Sequence, residues 1–163
     1  MKTLFLARHA KSSWELPEID DLDRPLMEKG LIRSQKTIAF LLKNNVNIDL
    51  IISSHAKRAI ETAKLYAHAL KYPIQKIEIN TSIYASDTEQ LFSIIYGLAD
   101  ETQSIMLVGH NPTMTQFSNC FVDKPFEYMP TSAIVSVEFD TNKWTEIELS
   151  KCKTNFIFFP QKI

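Results

Sequence analysis

Glycine is nearly missing from this chain. Of 163 residues only Gly30, Gly97 and Gly109 lack a side chain, so neither a G-x-G-x-x-G turn nor a Walker loop can be assembled. Main-chain phosphate cradles of those kinds are excluded, and any bound phosphate must be held mainly by side chains. Cysteine is scarce too: Cys120 and Cys152 stand far apart without C-x-x-C spacing, which reads as two reduced thiols. The histidines at 9, 55, 68 and 110 show neither H-x-x-x-H nor H-E-x-x-H spacing, so no metal set and no cofactor are expected. No apolar run approaches the length that spans a bilayer. The first apolar segment is cut by Arg8 and His9 before it could serve as a leader, which makes a cytoplasmic protein the expectation. Charge of one sign is missing as well, with 18 basic residues against 19 acidic. That balance gives no pull toward nucleic acid or an anionic membrane, so any anion site must be local.

What is present alternates. Lys2 to Ala7 is a short apolar strand without polar interruption, and residues 11 to 26, with Pro17, Pro25 and an acidic cluster, read as a loop. Leu31, Ile38, Leu41 and Leu42 mark one face of a helix over about 28 to 43. Leu50 to Ser53 is a second strand, and Ala59, Ile60, Ala63, Ala67 and Leu70 recur at helical spacing up to Pro73. A third strand is expected over Ile74 to Ile79, a helix over Ser86 to Leu98, and a fourth strand over Ile105 to Val108. A helix with Met114, Phe117 and Phe121 follows. Val135, Val137 and Phe139 then alternate, and Ile147 and Leu149 read as their antiparallel partner after a turn at 140 to 143; the FIFF run at 156 to 159 is expected as a last strand filling the core. Strand–helix alternation argues an α/β layered fold with a mainly parallel sheet, and no linker or repeat divides residues 1 to 163 into more than one domain.

Ligands of open α/β sheets gather beyond the carboxyl ends of the strands. The first strand ends in Arg8 and His9, the second runs through Ser53 and Ser54 toward Lys57 and Arg58, and the fourth ends in His110, Asn111 and Pro112. Two guanidinium groups and two imidazoles brought to one edge suit a tetrahedral oxyanion. Each piece alone has a plainer reading. Arg8–His9 could be a solvated strand end, Arg58 a weak partner of Glu61 on its own helix, and His110–Asn–Pro a helix-initiating turn. It is the coincidence of position that points to function.

The stretches LARHAKSSW (6–14), DRPLMEKG (23–30), SS…RAIETA (53–63), LVGHNP (107–112) and PTSA (130–133) together resemble the histidine phosphatase superfamily, and within it the small SixA-like phosphohistidine phosphatases. The resemblance implies a three-layer α/β/α sandwich. It implies His9 as the nucleophile that becomes phosphorylated, and Arg8, Arg58 and His110 as the rest of the phosphate pocket. Asn111, Arg24 and Ser13 are further candidate substrate contacts, although Arg24 could equally form an ion pair with a loop acid. Two positions depart from the family pattern: Ala10 stands where glycine is usual, and His55 where proline is usual.

The expected activity is a metal-independent two-step phosphoryl transfer through a phosphohistidine enzyme, acting on a phosphorylated protein, with a small phosphomonoester or a non-catalytic phosphate-binding role as alternatives. For the general acid, Glu89 and Asp21 are the candidates. Glu89 also completes an S-x-x-E capping box with Ser86, and that reading is preferred. Phosphohistidine makes little demand on an acid, because its leaving imidazole can already carry a proton on the other nitrogen. His68 is expected on a helix surface, and Trp14 and Trp144 either edge the cleft or pack as ordinary aromatics. No long insertion supplies a lobe over the site, which suits an open site and a protein substrate.

Overall fold

The computed structural model describes residues 1–161. Its sheet has six strands: β1 (Lys2–Arg8), β2 (Leu50–Ser53), β3 (Glu78–Ile79), β4 (Ser104–Gly109), β5 (Ile134–Phe139) and β6 (Cys152–Phe158). They lie in the order β3-β2-β4-β1-β5-β6. The first four in that order run parallel, and β5 and β6 are antiparallel additions beyond β1. Four helices complete the elements: α1 (Glu28–Lys43), α2 (Lys57–Ala69), α3 (Thr88–Tyr96) and α4 (Thr113–Asn119).

The central strands are apolar throughout because both of their faces are covered. Leu4, Leu6, Ile105 and Leu107 pack with Leu91 and Ile95 of α3 and with Met114 and Phe117 of α4. Phe5, Ala7, Met106 and Val108 pack on the opposite face with Ile38 and Leu41 of α1 and Ala59, Ala63 and Tyr66 of α2. Successive residues of one strand therefore feed two cores, the period-two rule of a strand producing the three layers. The small residues Ala59, Ala63 and Ala67 line the inner face of α2 and let it lie close against the sheet.

Register decides the site. Arg8 is paired across from Gly109, and Ser53 across from Val108, so β1, β2 and β4 end side by side. The hydrogen bonds continue one residue past the strands, from His9 N to Gly109 O (3.1 Å) and from Ser54 N to Val108 O (3.1 Å).

Three expected elements differ. The third strand shrinks to Glu78–Ile79, preceded by a 3-10 turn at Ile74–Lys76; it is an edge strand whose two residues are exposed. The partner of β5 is β6, not the segment holding Ile147 and Leu149. Trp144 draws that segment into a 3-10 turn by donating from its backbone N to Asp100 Oδ1 (3.2 Å) and from Nε1 to Thr102 O (2.9 Å). Ile147 consequently enters the core while Leu149 is 93% exposed. The FIFF run contributes Phe156 and Phe158 to this outer strand, both only half-buried. Finally, α3 is capped one residue later than the S-x-x-E reading, by Asp87 and Gln90 in a reciprocal capping box, and the Ser86 carbonyl accepts from the Thr113 hydroxyl.

Gly30 in the first turn of α1 is a close-approach glycine: a Cβ there would lie 2.3 Å from the Lys11 carbonyl oxygen, which also accepts from Met27 N at 3.0 Å. Gly30→Ala is expected to cost about 1–3 kcal/mol and lower the melting temperature by several degrees. Gly97→Ala, whose Cβ would meet nothing closer than 3.6 Å at an ordinary φ of −83°, should be neutral or slightly stabilising. Thermal melts of the two variants check this contrast.

Candidate active site

The residue after β1, His9, is held by its backbone on both sides. Its N–H donates to Gly109 O, and its carbonyl accepts from Ser132 N at 3.2 Å. Ser132 sits at φ 62°, a conformation that costs a non-glycine residue of order 1 kcal/mol. It is held there by the Thr37 hydroxyl, which donates to its carbonyl at 2.7 Å, and by the Ser34 hydroxyl 3.1 Å from its own. The Thr62 hydroxyl accepts from Ala10 N at 2.9 Å and donates to Arg58 O at 2.7 Å, tying the segment after β1 to the first turn of α2.

His9 is 7% exposed, and its ring Nδ1 lies 2.7 Å from the Ala10 carbonyl oxygen. A carbonyl can only accept, so Nδ1 carries the proton and Nε2 keeps its lone pair. Burial first, then the nearby charges of His110, Arg58 and Arg8, push the His9 pKa down to about 3 against the raising effect of the Ala10 bond. The ring is therefore neutral at physiological pH. His110 stands with its ring centroid 5.0 Å from that of His9. Its Nε2 is 2.7 Å from Ser54 Oγ, and burial followed by the Arg58 charge brings its pKa down to about 3 as well.

Around these rings lies a cavity of about 480 Å³, lined by the cationic side chains of Arg8, Lys11, Arg24, Arg33 and Arg58 together with His9, His110 and Asn111. Among the described residues no carboxylate lines it. Four buried polar nitrogens of the lining have no hydrogen-bond partner among the described residues: Nε of Arg8, Arg33 and Arg58, and Nδ1 of His110. A buried donor left unpaired is costly, and these four belong to residues of the cavity wall, whose charged groups are all cationic among the described residues.

Three of the four arginines are oriented by neighbours at 3.0 Å or less. Arg8 donates to Tyr128 Oη (2.6 Å) and Met129 O (3.0 Å). Arg58 donates from both terminal nitrogens to Asp21, at 2.7 Å to its carbonyl and 3.0 Å to its carboxylate. Arg24 meets the same carboxylate through Nε at 3.0 Å and stacks 3.4 Å from the ring centre of Trp14. Burial alone would raise the Asp21 pKa, but the Tyr84 hydroxyl at 2.5 Å, then Arg58 and Arg24, outweigh it and bring the carboxyl down to about 2.

The structure thus places Arg8, His9, Arg58, His110, Asn111 and Arg24 at one cavity. Asn111 also donates to Met129 O at 2.8 Å and accepts from Thr115 N and Oγ1, which fixes the start of α4. Ser13 does not line the cavity. Its carbonyl accepts from Arg24 at 3.4 Å, its hydroxyl accepts from Glu15 N, and the neighbouring Ser12 lines the wall instead. Glu89 is exposed on the first turn of α3 and away from the lining, while Asp21, its carboxyl held down to about 2, also stands outside the lining and pairs with two arginines. His55 packs edge-on against Tyr84 without reaching the lining, His68 is exposed, and Trp144 belongs to the core. Thr62, Ser132, Tyr84, Tyr128, Lys11 and Arg33 were missed; the RAIETA and PTSA stretches carried the first two, and no local signal marked Tyr84 or Arg33. Among the described residues no cluster of three or more His, Cys, Asp or Glu side chains could hold a metal ion, and no helix is long and apolar enough to cross a membrane.

The family model for the histidine phosphatase superfamily (branch 1) matches residues 4–93, more than half of the chain. This chain belongs to that superfamily. A structure from Agrobacterium tumefaciens, provisionally described as phosphohistidine phosphatase SixA, superposes with a TM-score of 0.79 at 26% identity, covering 98% of this chain and 99% of that one. The protein histidine phosphatase SixA complexed with tungstate gives a TM-score of 0.80 at 22% identity, covering 97% of each chain. An uncharacterized protein of Mycobacterium leprae is 27% identical over 158 residues, covering 90% of this chain and 94% of that protein. The fold is the SixA-like α/β sandwich, and the family and its neighbours support a phosphatase activity.

A histidine whose folded-state pKa lies below its unfolded value makes the unfolded chain the stronger proton binder at acid pH, so stability is lost as pH falls below about 6.5 toward 3. His9 alone contributes a loss of about 2 kcal/mol between pH 7 and pH 5. Chemical denaturation of the parent and His9→Asn is expected to show a shallower pH dependence for the variant. Parallel curves for the two proteins contradict a buried neutral His9.

Proposed function

We infer that this protein is a phosphohistidine-type protein phosphatase, working without a metal through a covalent phosphohistidine at His9. The observation that carries the reading is a buried, neutral imidazole with Nδ1 tied to Ala10 O, in a cavity lined by five cationic side chains and no carboxylate among the described residues. In the first step the lone pair on His9 Nε2 forms a bond to phosphorus as the bond to the leaving group breaks. In the second, water attacks the same phosphorus, the P–Nε2 bond breaks, and inorganic phosphate leaves with His9 restored. Arg8 and Arg58 hold the nonbridging oxygens and His110 supplies a further donor, which is the positioning and charge stabilisation that phosphoryl transfer asks of a protein. The Ser54 hydroxyl accepts from Ala56 N at 3.2 Å, leaving its own proton to give to His110 Nε2; His110 Nδ1–H is then the donor to phosphate.

The missing acid supports a nitrogen-linked phosphate. With Asp21 ionised and Glu89 outside the lining, an alkoxide would leave without a proton, whereas a phosphoimidazole can depart already protonated on its other nitrogen. Exposed Trp14 and Tyr128 at the cavity suit a substrate presented on a protein surface.

The test is turnover of a radiolabelled phosphohistidine peptide, with acid-labile label sought on the enzyme. The parent should become labelled and turn over; His9→Ala should lose both, with kcat/KM down at least about a thousandfold. Parent-rate turnover by the variant contradicts the nucleophile, and a higher kcat/KM on sugar or nucleotide monophosphates contradicts the protein substrate.

A further inference from the structure

One phosphoryl group does not use all the positive charge in this cavity. Arg8, Arg58 and His110 suffice to surround it, and Arg24 is already matched by the Asp21 carboxylate and the Trp14 ring. Arg33 is different. It lies on the buried side of α1, is 9% exposed, and lines the cavity. Among the described residues no carboxylate comes within 4.0 Å of it, its Nε has no partner, and its NH1 has only the Thr131 hydroxyl at 3.5 Å. A guanidinium removed from water without a counter-charge is expensive to keep, and the open side of Arg33 is the cavity. Lys11 lines the same wall and likewise has no ion-pair partner among the described residues. Its backbone is fixed against the start of α1 by the Met27 N–H and the close approach of Gly30, so the two cations belong to one rigid unit.

We propose that Arg33 and Lys11 form a second anion subsite beside the His9 pocket, selecting phosphorylated substrates that carry another acidic group close to the phosphoryl group. The proposal rests on the phosphatase reading of that pocket and adds a substrate class to it: for a protein substrate, a phosphohistidine flanked by an acidic residue. The guanidinium fork of Arg33 meets a carboxylate or second phosphate in two parallel hydrogen bonds, and Lys11 adds a point charge.

Two matched pairs of substrates test it: phosphohistidine peptides with Glu or Gln beside the phosphorylated residue, and 2-phosphoglycolate against ethyl phosphate. Parent kcat/KM should favour the acidic member of each pair by about tenfold or more. In Arg33→Met and in Lys11→Met that ratio should fall toward one, and Arg33→Lys should recover part of it. The Lys11 variant answers the question even if the buried Arg33→Met does not fold. A parent ratio near one, or ratios unchanged in the folded variants, overturns the subsite. An acid preference seen with the esters while neither peptide turns over keeps the subsite and overturns the protein-substrate reading. If the parent hydrolyses none of the four, the phosphatase reading fails, and calorimetric binding of 2-phosphoglycolate against ethyl phosphate still decides the subsite by the same ratio.

Discussion

The bond between His9 Nδ1 and the Ala10 carbonyl is the interaction on which the rest depends. Because the oxygen accepts only, it settles which ring nitrogen holds the proton and leaves the other as a nucleophile facing the cavity. The carbonyl itself is immobile because its neighbours are: Ala10 N is bonded to Thr62, His9 N to Gly109 and His9 O to Ser132. Those three partners come from α2, β4 and the segment before β5. The orientation of one imidazole thus draws on the helical layer formed by α1 and α2 and on the parallel register of β1 against β4.

Electrostatics in the site follow from one acid placed just behind the wall. Asp21 ties down Arg58 and Arg24 and accepts from Tyr84, so two arginines are fixed in place by a carboxylate that does not itself line the cavity. The charged groups of the lining are therefore all cationic among the described residues, and behind the effect of burial the same field that favours a bound oxyanion disfavours protons on His9 and His110. Burial keeps the nucleophile neutral, and the charges that hold an anion reinforce it.

Much of this was legible from residue order. Apolar strands ending in Arg8–His9 and in His110 are forced to one edge once the sheet is parallel, and the shortage of glycine directed attention to side chains as the phosphate holders. What escaped was the part made by contacts without local pattern. Asp21 reaches Arg58 across 37 positions and Tyr84 across 63, and nothing near any of them announces the meeting. Arg33 carries no local signal either, since its hydroxyl partner Thr131 lies 98 positions away. The later strands were misplaced because Trp144, satisfied by Asp100 and Thr102, outweighs the alternation around Ile147 and Leu149. The capping box sits one residue later because Asp87, not Ser86, accepts from the N3 backbone.

The protonation of His9 is open to direct observation by nitrogen-15 correlation spectroscopy of the histidine rings at neutral and mildly acid pH. A neutral ring with the proton on Nδ1 and an unprotonated Nε2, unchanged from pH 7 to pH 5, is the predicted result. An imidazolium in that range, or a proton on Nε2, contradicts the account.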